Sequence, residues 1–593
     1  MARPEGLVFC PGAAGREVAE RIAGELNLAV FCADMRTGMR SAFGAGVPVI
    51  GVCAAGIPIR ILAPLIRDKA SEPPVICVSP DGRSVVPLLG GHRGANALAC
   101  RIAALLGGQA AITTASETVL GIALDDPPDG WRLDRLTSVK HTASALLAGK
   151  AVRISGKADW LAPLRDLPHV SMQEADGDDN PVILQTADTE PLIYRRQNLA
   201  LGVGCVRGCG GGELIALVEA SLAEAGLSSQ SVAQVMSIDI KSNEAAVHAL
   251  ASHLGVAARF LPAEVLGQQA ERLSTRSEAV FREVGVYGVS EAAALAAAGP
   301  EGELVLRKRK SPVATCAAAR IGRAAGETGV PRGHLMIVGI GPGGLDWRTP
   351  EAVGMICEAD EFVGFGTYLE MLGEFAACKP VHAFALGEEE ERCRFALERA
   401  GGGRKVALIC SGDAGIYAMA SPVMQLLADA GSGIPAAARR VRVSCAPGVS
   451  AMQAASARAG AVLGHDFCAV SLSDLLTPRE AILRRVRAAA EGDFVVAFYN
   501  PASKRRKSLL NEARDILLGH RPAETPVLIA RNMGRDGEEL SLLPLAELKA
   551  DNIDMLTVVI IGSSASRAFD SGDRSAGADG WYLFTPRGYA PAS

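Results

Sequence analysis

Apolar and polar residues alternate in blocks along the first part of the chain. Short apolar runs such as "GLVFC" (6–10) and "VPVIGVCAA" (47–55) are each followed by a segment with helical spacing, such as "GREVAERIAGEL" (15–26). A strand, a loop and a helix that recur at this interval predict parallel βα units. The pattern therefore predicts the α/β fold class, and the acidic, proline-containing stretch "LDDPPDG" (124–130) marks the end of a first domain.

The same pattern divides the rest of the chain. Residues 131–198 are weakly patterned, whereas residues 199–227 open a second α/β unit. A Gly-, Pro- and charge-containing stretch, 323–333, has the composition of a linker, and a third α/β region follows it. The predicted organisation is a first α/β domain (1–125), a small connecting region (126–198), a second α/β domain (199–322), the linker (323–333), a third domain (334–565) and a loosely ordered or peripheral tail (566–593).

Length and composition agree with several such units. The chain has 593 residues, of which 49% are hydrophobic and only 4% aromatic, and it contains 65 glycines. Such a composition suits layers built from Val, Ile, Leu and Ala and joined by glycine turns. At about 150 residues per domain, the length predicts three or four domains.

Charge and hydropathy exclude several classes of function. Sixty basic and 65 acidic residues give a net charge of -5, and the densest basic stretches, 306–310 and 503–507, are short. We therefore expect no nucleic-acid partner. No apolar run reaches the roughly 18 residues of a membrane span, and the N-terminus lacks the cationic start and long apolar core of a signal peptide.

The cysteines indicate the compartment. Fourteen cysteines are scattered along the chain, which is typical of buried thiols in a reducing compartment. We expect a cytoplasmic protein. Cys205 and Cys209 form the only close pair, and C-x3-C without further ligands is a weak metal motif, so no metal site is predicted.

The stretch "LMIVGIGPGGLDWRTPEAV" (335–353) has the G-x-G-x-x-G spacing of a dinucleotide-binding loop. Three features disfavour NAD. The helix is predicted to begin with Thr349 as its cap and Pro350 as its first residue, well after the third glycine. Pro342 removes a backbone N–H that would bind a pyrophosphate. The acidic residue expected about 20 residues on precedes the next strand instead of ending it.

Four further stretches follow this loop in order: "ALICSGDAGIYAMASPVMQLL" (407–427), "VSCAPGVSAMQAASARAGAVLGHDFCAVSLSDLLTP" (443–478), "FVVAFYNPASKRR" (494–506) and "VLIARNMGRDGEE" (527–539). Together with "VGIGPGG" (338–344), their order resembles the tetrapyrrole methylases. More narrowly, it resembles the precorrin-3B C-17-methyltransferases of cobalamin biosynthesis. The resemblance implies two α/β subdomains with S-adenosylmethionine in the cleft between them, a tetrapyrrole substrate and a homodimer.

The resemblance also implies roles for single residues. Asp413 at a strand end can accept hydrogen bonds from the cofactor or anchor its loop, and each glycine motif taken alone is equally typical of a turn with positive φ. The residues expected to contact S-adenosylmethionine are Pro342, Gly412, Asp413, Ser450, Ala451, Asn500 and Thr557.

A second set of residues is expected on the substrate side. Arg531 and Arg535 suit the carboxylates of the macrocycle, since a guanidinium group binds them with two hydrogen bonds, although surface ion pairs are the alternative. Relatives commonly have tryptophan where this chain has Arg479. The other residues expected to face the tetrapyrrole are Gly341, Gly343, Gly344, Asp466, Ser471 and Ser473.

Methyl transfer itself depends mainly on the position of the nucleophilic carbon, because the sulfonium is already a strong electrophile. Ring contraction adds a proton transfer. His465 and Asp474 are the candidates for general acid or base. A helix-capping role is the alternative for Asp474.

The front half carries a second resemblance. Residues 54–117 and 201–299 resemble the cobalt-precorrin-5A hydrolases, which open a δ-lactone on the contracted macrocycle and release acetaldehyde. His92 and Asn96 of "GGHRGAN" lie at a strand-to-helix turn, where open α/β sheets commonly bind ligands, and loop capping is the alternative. Thr113 and Thr114 are expected nearby in space. The chain departs from the family pattern at Ser116 and Glu117, where the family has Thr-Asp.

Three hypotheses follow. The first is a bifunctional corrin-pathway enzyme that methylates C-17 of precorrin-3B, contracts the ring to give precorrin-4, and carries a hydrolase-like front half. The second keeps the methylase but makes the front half a non-catalytic tetrapyrrole-binding module. The third, an NAD-dependent oxidoreductase, is disfavoured by the loop at 335–353. Cobalt-factor III is the alternative substrate, and the fused hydrolase-like half favours it.

Overall fold

The computed structural model describes residues 6–587, except for 33–34, 68–71, 135–136, 174–179, 188–189, 323–327, 378, 503–507 and 576. The side chain of His92 is also outside the description. The basic stretch 503–507 and much of the predicted linker therefore lie outside the described residues. The elements form successive sheets flanked by helices, which confirms the α/β class.

The first sheet has buried strands because helices cover both of its faces. Its strands lie in the order 2-1-3-4-5-6 by chain number. Neighbours are parallel except the fourth and fifth, which are antiparallel because only a short turn joins them and a parallel pair needs a long crossover. The elements are β1 (Leu7–Phe9), α1 (Arg16–Leu26), β2 (Val30–Phe31), α2 (Met35–Gly44), β3 (Val49–Val52), α3 (Gly56–Leu62), β4 (Val75–Val78), β5 (Ser84–Leu89), α4 (Ala95–Leu106), β6 (Gln109–Ala110) and α5 (Ala115–Leu120).

The predicted connecting region contains a sheet of its own. Its core includes Tyr194, whose buried hydroxyl donates to the Leu124 carbonyl over 2.6 Å. The elements are β7 (Trp131–Leu133), α6 (Thr137–Leu147), β8 (Val152–Ser155), α7 (Ala162–Arg165), β9 (Val170–Gln173), β10 (Val182–Thr186) and β11 (Leu192–Arg196). They pair in the order β7-β11-β10-β8-β9.

The next sheet belongs to the second predicted α/β unit. Its elements are β12 (Leu199–Cys205), α8 (Gly211–Glu224), β13 (Val232–Ile238), α9 (Ala245–Leu254), β14 (Ala257–Leu261), α10 (Ala263–Gly267), α11 (Glu278–Val284), α12 (Val289–Ala298), β15 (Glu303–Lys310), β16 (Ala314–Arg320) and β17 (Val330–Pro331). The order is β15-β16-β12-β13-β14-β17, with β12, β13 and β14 parallel. Because β17 pairs with β14, the end of the predicted linker is part of this sheet.

Two large sheets and one small sheet form the C-terminal region, and the first large sheet is parallel throughout. Its order is 20-19-21-18-22 by chain number. The elements are β18 (His334–Gly339), α13 (Pro350–Glu358), β19 (Glu361–Phe365), α14 (Gly366–Glu370), β20 (Val381–Phe384), α15 (Glu389–Gly401), β21 (Lys405–Cys410), α16 (Ala420–Ala428), α17 (Ala436–Arg439) and β22 (Arg442–Ala446).

The structure confirms the predicted start of α13. The Thr349 side chain accepts a hydrogen bond from the Ala352 N–H, and Pro350 is the first helical residue.

The acidic residue near the next strand is Glu361, which is the first residue of β19. Its buried carboxylate accepts hydrogen bonds from Arg399, at 2.6 Å, and from His382, at 3.0 Å, so it is already engaged.

The second sheet of the C-terminal region is mixed. Its elements, with those of a small sheet beside it, are α18 (Ala451–Ala459), β23 (Gly460–Ala461), β24 (Phe467–Ser471), α19 (Arg479–Glu491), β25 (Val495–Tyr499), α20 (Ser508–Leu518), β26 (Pro526–Arg531), β27 (Glu539–Pro544), β28 (Thr557–Ile561), β29 (Arg567–Asp570) and β30 (Trp581–Phe584). The larger sheet has the order β24-β25-β28-β26-β27 and the smaller one β23-β30-β29.

The prediction of a loosely ordered tail is wrong for the described residues. β29 and β30 form an antiparallel pair, and β30 pairs with β23 next to α18. Leu583 is fully buried in the same apolar cluster as Val495 and Ile560. The described part of the tail is ordered because its two strands pair and Leu583 packs into the core of the second sheet.

The first sheet and the C-terminal region share one apolar core. Helix α2 packs against α13, and the fully buried Met39 and Met336 belong to the same cluster. The ring of Phe31 meets that of Phe375 edge-on, with centroids 4.6 Å apart. Beside them, the Cys32 N–H donates to the Glu374 carboxylate over 3.1 Å. The N-terminal sheet is thus packed onto the C-terminal region.

The second α/β unit also contacts the C-terminal region. Arg440 forms an ion pair with Asp239 at 3.6 Å and donates to the Ser242 hydroxyl over 3.3 Å. No helix in the described part of the chain is both long and apolar enough to cross a membrane.

Candidate functional site

Three turns meet where the neighbouring parallel strands β18, β21 and β22 end. Gly341 and Gly412 exchange two backbone hydrogen bonds, of 3.2 and 2.8 Å, and both have positive φ, +74° and +68°. A Cβ atom on Gly448 would lie only 2.0 Å from the Gly412 carbonyl oxygen. The turns therefore pack backbone against backbone, which only glycine allows.

The first of these turns also contacts the second sheet. A Cβ atom on Gly343 would lie 1.5 Å from the carbonyl oxygen of Gly534, and the Gly344 N–H donates to that oxygen over 2.9 Å. Arg535 donates from Nε to the Pro342 carbonyl over 2.8 Å and from Nη2 to the Ser411 hydroxyl over 2.9 Å. The loop after β26 is thereby joined to two turns of the first sheet.

A cavity of about 180 Å³ lies between the two sheets, beside these turns. All seven residues predicted to contact S-adenosylmethionine line it, although they come from distant parts of the chain. The lining consists of Pro342, Tyr368, Ser411, Gly412, Asp413, Ile416, Tyr417, Ser450, Ala451, Tyr499, Asn500, Ala530, Asn532, Met533, Arg535, Met555, Leu556, Thr557 and Val558. The structure brings the seven together, and their contact with a cofactor stays a prediction.

Two of the predicted residues shape the first side of the cavity. Asp413 accepts the Gly415 N–H over 2.8 Å and the Gly448 N–H over 3.1 Å, so its carboxylate anchors two turns. Ser450 caps α18 by a reciprocal pair of bonds with Gln453, and only 1% of it is exposed. Both side chains stabilise the loops, which is the anchoring alternative for Asp413.

Strand ends of the second sheet form the other side. Asn500 directly follows β25, has φ +51° and donates from Nδ2 to the Ser471 hydroxyl over 3.1 Å. Thr557 opens the antiparallel neighbour β28 and donates to the Asp554 carboxylate over 2.8 Å. Burial raises the pKa of Asp554, but the hydrogen bonds from Thr557 and neighbouring groups outweigh it and hold that pKa below its usual value.

The two arginines predicted for the substrate carboxylates differ. Arg531 forms an ion pair with Asp554 at 2.9 Å, and both side chains are more than two-fifths exposed. The surface ion pair, which was the alternative for Arg531, is what the structure contains. Arg535 lines the cavity, and burial lowers its pKa.

The structure separates the two candidates for proton transfer. His465 and Asp466 precede β24 and are exposed, with the Asp466 N–H donating to His465 Nδ1 over 2.8 Å. The cavity-lining Asn500 instead neighbours Ser471, at the opposite end of that strand. Five strand residues separate the two ends by roughly 16 Å. The structure therefore does not bring His465 or Asp466 to the cavity.

Asp474 and Ser473 follow the cavity end of β24. The Ser473 N–H donates to the Ser471 hydroxyl over 3.3 Å. Asp474 does not cap α19, because that helix begins at Arg479 with Pro478 at its cap position and without a side-chain cap. Arg479 forms an ion pair with Glu512.

Several lining residues were not predicted. Tyr417 and Tyr499 line the cavity with their rings 5.3 Å apart, and Met555 and Leu556 lie beside them. Their positions at strand ends could have identified them. Tyr499 ends β25, and Met555 and Leu556 directly precede β28. Ligand contacts concentrate at such strand ends.

The front half has a polar cluster near its predicted site. Asn96, only 8% exposed, donates to the Thr114 hydroxyl over 3.2 Å and to the Glu117 carboxylate. Thr114 donates to the same carboxylate. The predicted proximity of Thr114 to Asn96 is thus observed. His92 belongs to a 3-10 turn at 91–93, and its side chain lies outside the described residues.

The described residues contain no group of three or more His, Cys, Asp or Glu side chains that could hold a metal ion. Burial raises the pKa of Cys205 to about 11, so this thiol is a poor metal ligand at neutral pH.

Comparison with known proteins identifies the regions. Residues 334–549 match the model of the tetrapyrrole (corrin/porphyrin) methylases. Residues 37–117 match the cobalamin synthesis G N-terminal family and residues 199–319 match the cobalamin synthesis G C-terminus. The chain belongs to the tetrapyrrole methylase family and carries a cobalamin synthesis G-like region in front of it.

Similar proteins within that family include C-17 methyltransferases. The chain is 43% identical over 264 residues to the precorrin-3B C(17)-methyltransferase of Sinorhizobium sp, a match covering 44% of this chain and 99% of the relative. It is 40% identical over 255 residues to a probable cobalt-factor III C(17)-methyltransferase of Salmonella typhimurium, a match that covers 43% of this chain and 99% of the relative. The crystal structure of the methyltransferase CobJ matches at 35% identity with a TM-score of 0.39, covering 43% of this chain and 100% of that chain.

Adjacent glycines of the front loop provide a matched pair of variants. We expect Gly343→Ala to separate the loop from Gly534, because its Cβ would overlap that carbonyl, and to destabilise the C-terminal region by about 1–3 kcal/mol. Gly344→Ala meets nothing within 4 Å and has φ -63°, so a change within about 0.5 kcal/mol is expected. Thermal melting of both variants measures the difference. Equal melting temperatures would show that the loop contact contributes nothing.

Proposed function

We propose that the chain is an S-adenosylmethionine-dependent methyltransferase that methylates C-17 of precorrin-3B and contracts the ring to give precorrin-4. We further propose that it works as a homodimer, through the family resemblance of the C-terminal region. The dispersed cysteines, which are free thiols in the described residues, support the cytoplasm as its compartment.

One observation carries the proposal. Seven residues from five separate stretches, 342, 412–413, 450–451, 500 and 557, were expected to meet a cofactor, and they line a single cavity. The 43% identity to a C-17 methyltransferase over nearly all of that relative's length supports the same conclusion.

The cavity lining fits S-adenosylmethionine chemically. Ile416, Ala530 and Met533 offer apolar surface for a flat base, while Asn500 and Thr557 offer polar side chains. Gly412, with positive φ, lets the backbone approach a ligand closely. When bound, the cofactor supplies an electrophilic methyl group on a sulfonium.

The residues of the chain then have two tasks. Asp413, Ser450 and the glycine turns hold the loops in fixed positions, since positioning supplies most of the acceleration in such a transfer. Ring contraction also moves a proton. We propose Asp474 for this step, because it follows the cavity end of β24, whereas His465 lies at the other end.

The substrate assay tests the proposal directly. The full chain is incubated with S-adenosylmethionine and, separately, with precorrin-3B and cobalt-factor III, and the mass and spectrum of the macrocycle are followed. A gain of one methyl group on precorrin-3B is the expected result. A gain only on cobalt-factor III would assign the alternative substrate. No gain on either macrocycle, with cofactor bound, would refute C-17 methylation.

Two variants test the proton-transfer assignment. We expect Asp474→Asn to lower the rate of ring contraction by about 100-fold or more, which is the usual contribution of a general acid or base. His465→Asn is the control, because this exposed side chain lies away from the cavity, and its rate should stay within about twofold of the wild type. The absorption spectrum of the macrocycle gives the rate of ring contraction for both variants, because this rearrangement does not change the mass, and mass spectrometry gives the methyl gain. The reverse ranking of the variants would assign the step to His465.

The front half is proposed as a lactone hydrolase. The observation that favours catalysis over simple binding is the nearly buried Asn96 beside the carboxylate of Glu117 in the first turn of α5, since a carboxylate held in place by hydrogen bonds can activate water. The alternative is a non-catalytic tetrapyrrole-binding module.

Acetaldehyde release separates these alternatives. The full chain, given the lactone-bearing cobalt-precorrin-5A, is expected to release acetaldehyde, and Glu117→Gln is expected to lower that rate by about 100-fold. Methyl transfer by the same preparation is the internal control and should not change. If the wild type binds the macrocycle but releases no acetaldehyde, the front half is a non-catalytic tetrapyrrole-binding module.

A further inference from the structure

Tyr417 has a backbone conformation that bulky residues rarely adopt. Its φ is +51°, in the left-handed region, where the β-carbon crowds the backbone. The residue lies in the loop between β21 and α16, shortly after the turn at Gly412. Such conformations persist where the surroundings enforce them, and they concentrate at ligand sites.

The side chain of Tyr417 spans the cleft between the two sheets. Its backbone belongs to the first sheet's loop, while its hydroxyl donates to the carbonyl of Ala469 in β24 over 2.9 Å. Its ring lies 5.3 Å from that of Tyr499, tilted by 50°. The phenol ring is thus held at both ends in a fixed place.

Despite these contacts, much of the ring faces solvent. Tyr417 is 52% exposed, and two other large apolar residues that line the same cavity are similar, with Met555 at 46% and Leu556 at 51%. We call these three residues the apolar rim. Half-exposed apolar side chains grouped at a cavity mouth indicate a ligand that covers them.

We propose that the apolar rim binds the face of the tetrapyrrole, with the ring of Tyr417 as the platform that positions the macrocycle next to the cofactor cavity. The macrocycle is flat, with extended π faces, and aromatic and thioether side chains contact such faces favourably. This inference rests on the proposed function and assigns the residues that hold its substrate.

A purely structural role for Tyr417 predicts different behaviour. If the residue served only to join the sheets, its hydroxyl and its contact with Tyr499 would be the parts that matter, and removal of the side chain would destabilise the protein. Glycine relieves the backbone crowding in either case, so if the ring serves the substrate the larger loss falls on macrocycle binding.

Four variants of the full chain distinguish these roles: Tyr417→Gly, Tyr417→Phe, Leu556→Asn and the control Phe569→Ala. Phe569 is matched in exposure, at 50%, but belongs to the small sheet with β30. The measurements are the melting temperature, the Kd for S-adenosylhomocysteine, the Kd for uroporphyrin III by fluorescence quenching, and KM and kcat for methyl transfer.

We expect Tyr417→Gly to keep the melting temperature close to that of the wild type, because relief of the backbone crowding offsets the lost contacts, and to weaken S-adenosylhomocysteine binding much less than uroporphyrin III binding. Its Kd for uroporphyrin III and its KM should rise at least tenfold, with a smaller change in kcat. Leu556→Asn should also raise the Kd for uroporphyrin III and the KM. Tyr417→Phe keeps the ring, so its Kd for uroporphyrin III and its KM should stay within threefold of the wild-type values. The same is expected of the control Phe569→Ala.

Two results would overturn the proposal. One is a Tyr417→Gly variant with a lower melting temperature and equally weakened binding of both ligands, which is the behaviour of a structural tie. The other is unchanged uroporphyrin III binding in both Tyr417→Gly and Leu556→Asn. Because porphyrin binding needs no turnover, failure of the wild type to methylate would refute the proposed function without deciding the role of the rim.

Discussion

The site depends on a close backbone approach between glycine turns. Gly341 and Gly412 exchange hydrogen bonds, Gly448 packs against the Gly412 carbonyl, and Gly343 packs against Gly534. At Gly448 and Gly343 main chain meets main chain at a distance that a β-carbon would prevent, and at Gly341 and Gly412 the positive φ angles favour glycine. Since the turns belong to both sheets, these contacts fix the cleft width, and the cavity-lining side chains project from turns whose positions are already set.

The polar residues in these turns also serve mainly to hold the turns in shape. Both carboxylate oxygens of Asp413 accept hydrogen bonds from backbone N–H groups, and Ser450 is an almost fully buried helix cap. Their first effect is on the shape of the loops. A ligand would therefore meet a site that needs little rearrangement, which lowers the entropic cost of ordering it on binding.

Local chemistry made much of the architecture predictable from the sequence. The cap at Thr349 and the proline at 350 follow from the preferences of helix termini, whereas the seven cavity residues were implied by the resemblance to the tetrapyrrole methylases. Position along a strand was harder to predict. His465 and Ser471 are close in sequence, yet they lie at opposite ends of β24, and a motif alone does not show which end faces the cleft.

Long-range packing accounts for the other differences between the sequence-based predictions and the structure. The tail is polar in composition, but Leu583 inserts into a distant core and orders it. Arg531 pairs with Asp554, whereas Arg535, four residues later, turns into the cavity, because β26 ends between them. Tyr417 was missed because its significance lies in a backbone angle and in exposure, neither of which the sequence reports.

The common apolar core of the first sheet and the C-terminal region bears on how such a fusion persists. Phe31, Met39 and their partners across the junction would be exposed to water if the chain were cut between the two regions, so a split gene would yield fragments prone to aggregate. Two separate polypeptides would have to be made in equal amounts and to assemble before that surface was covered. In a single chain the two regions are always present in equal numbers, and the junction is covered as the chain folds.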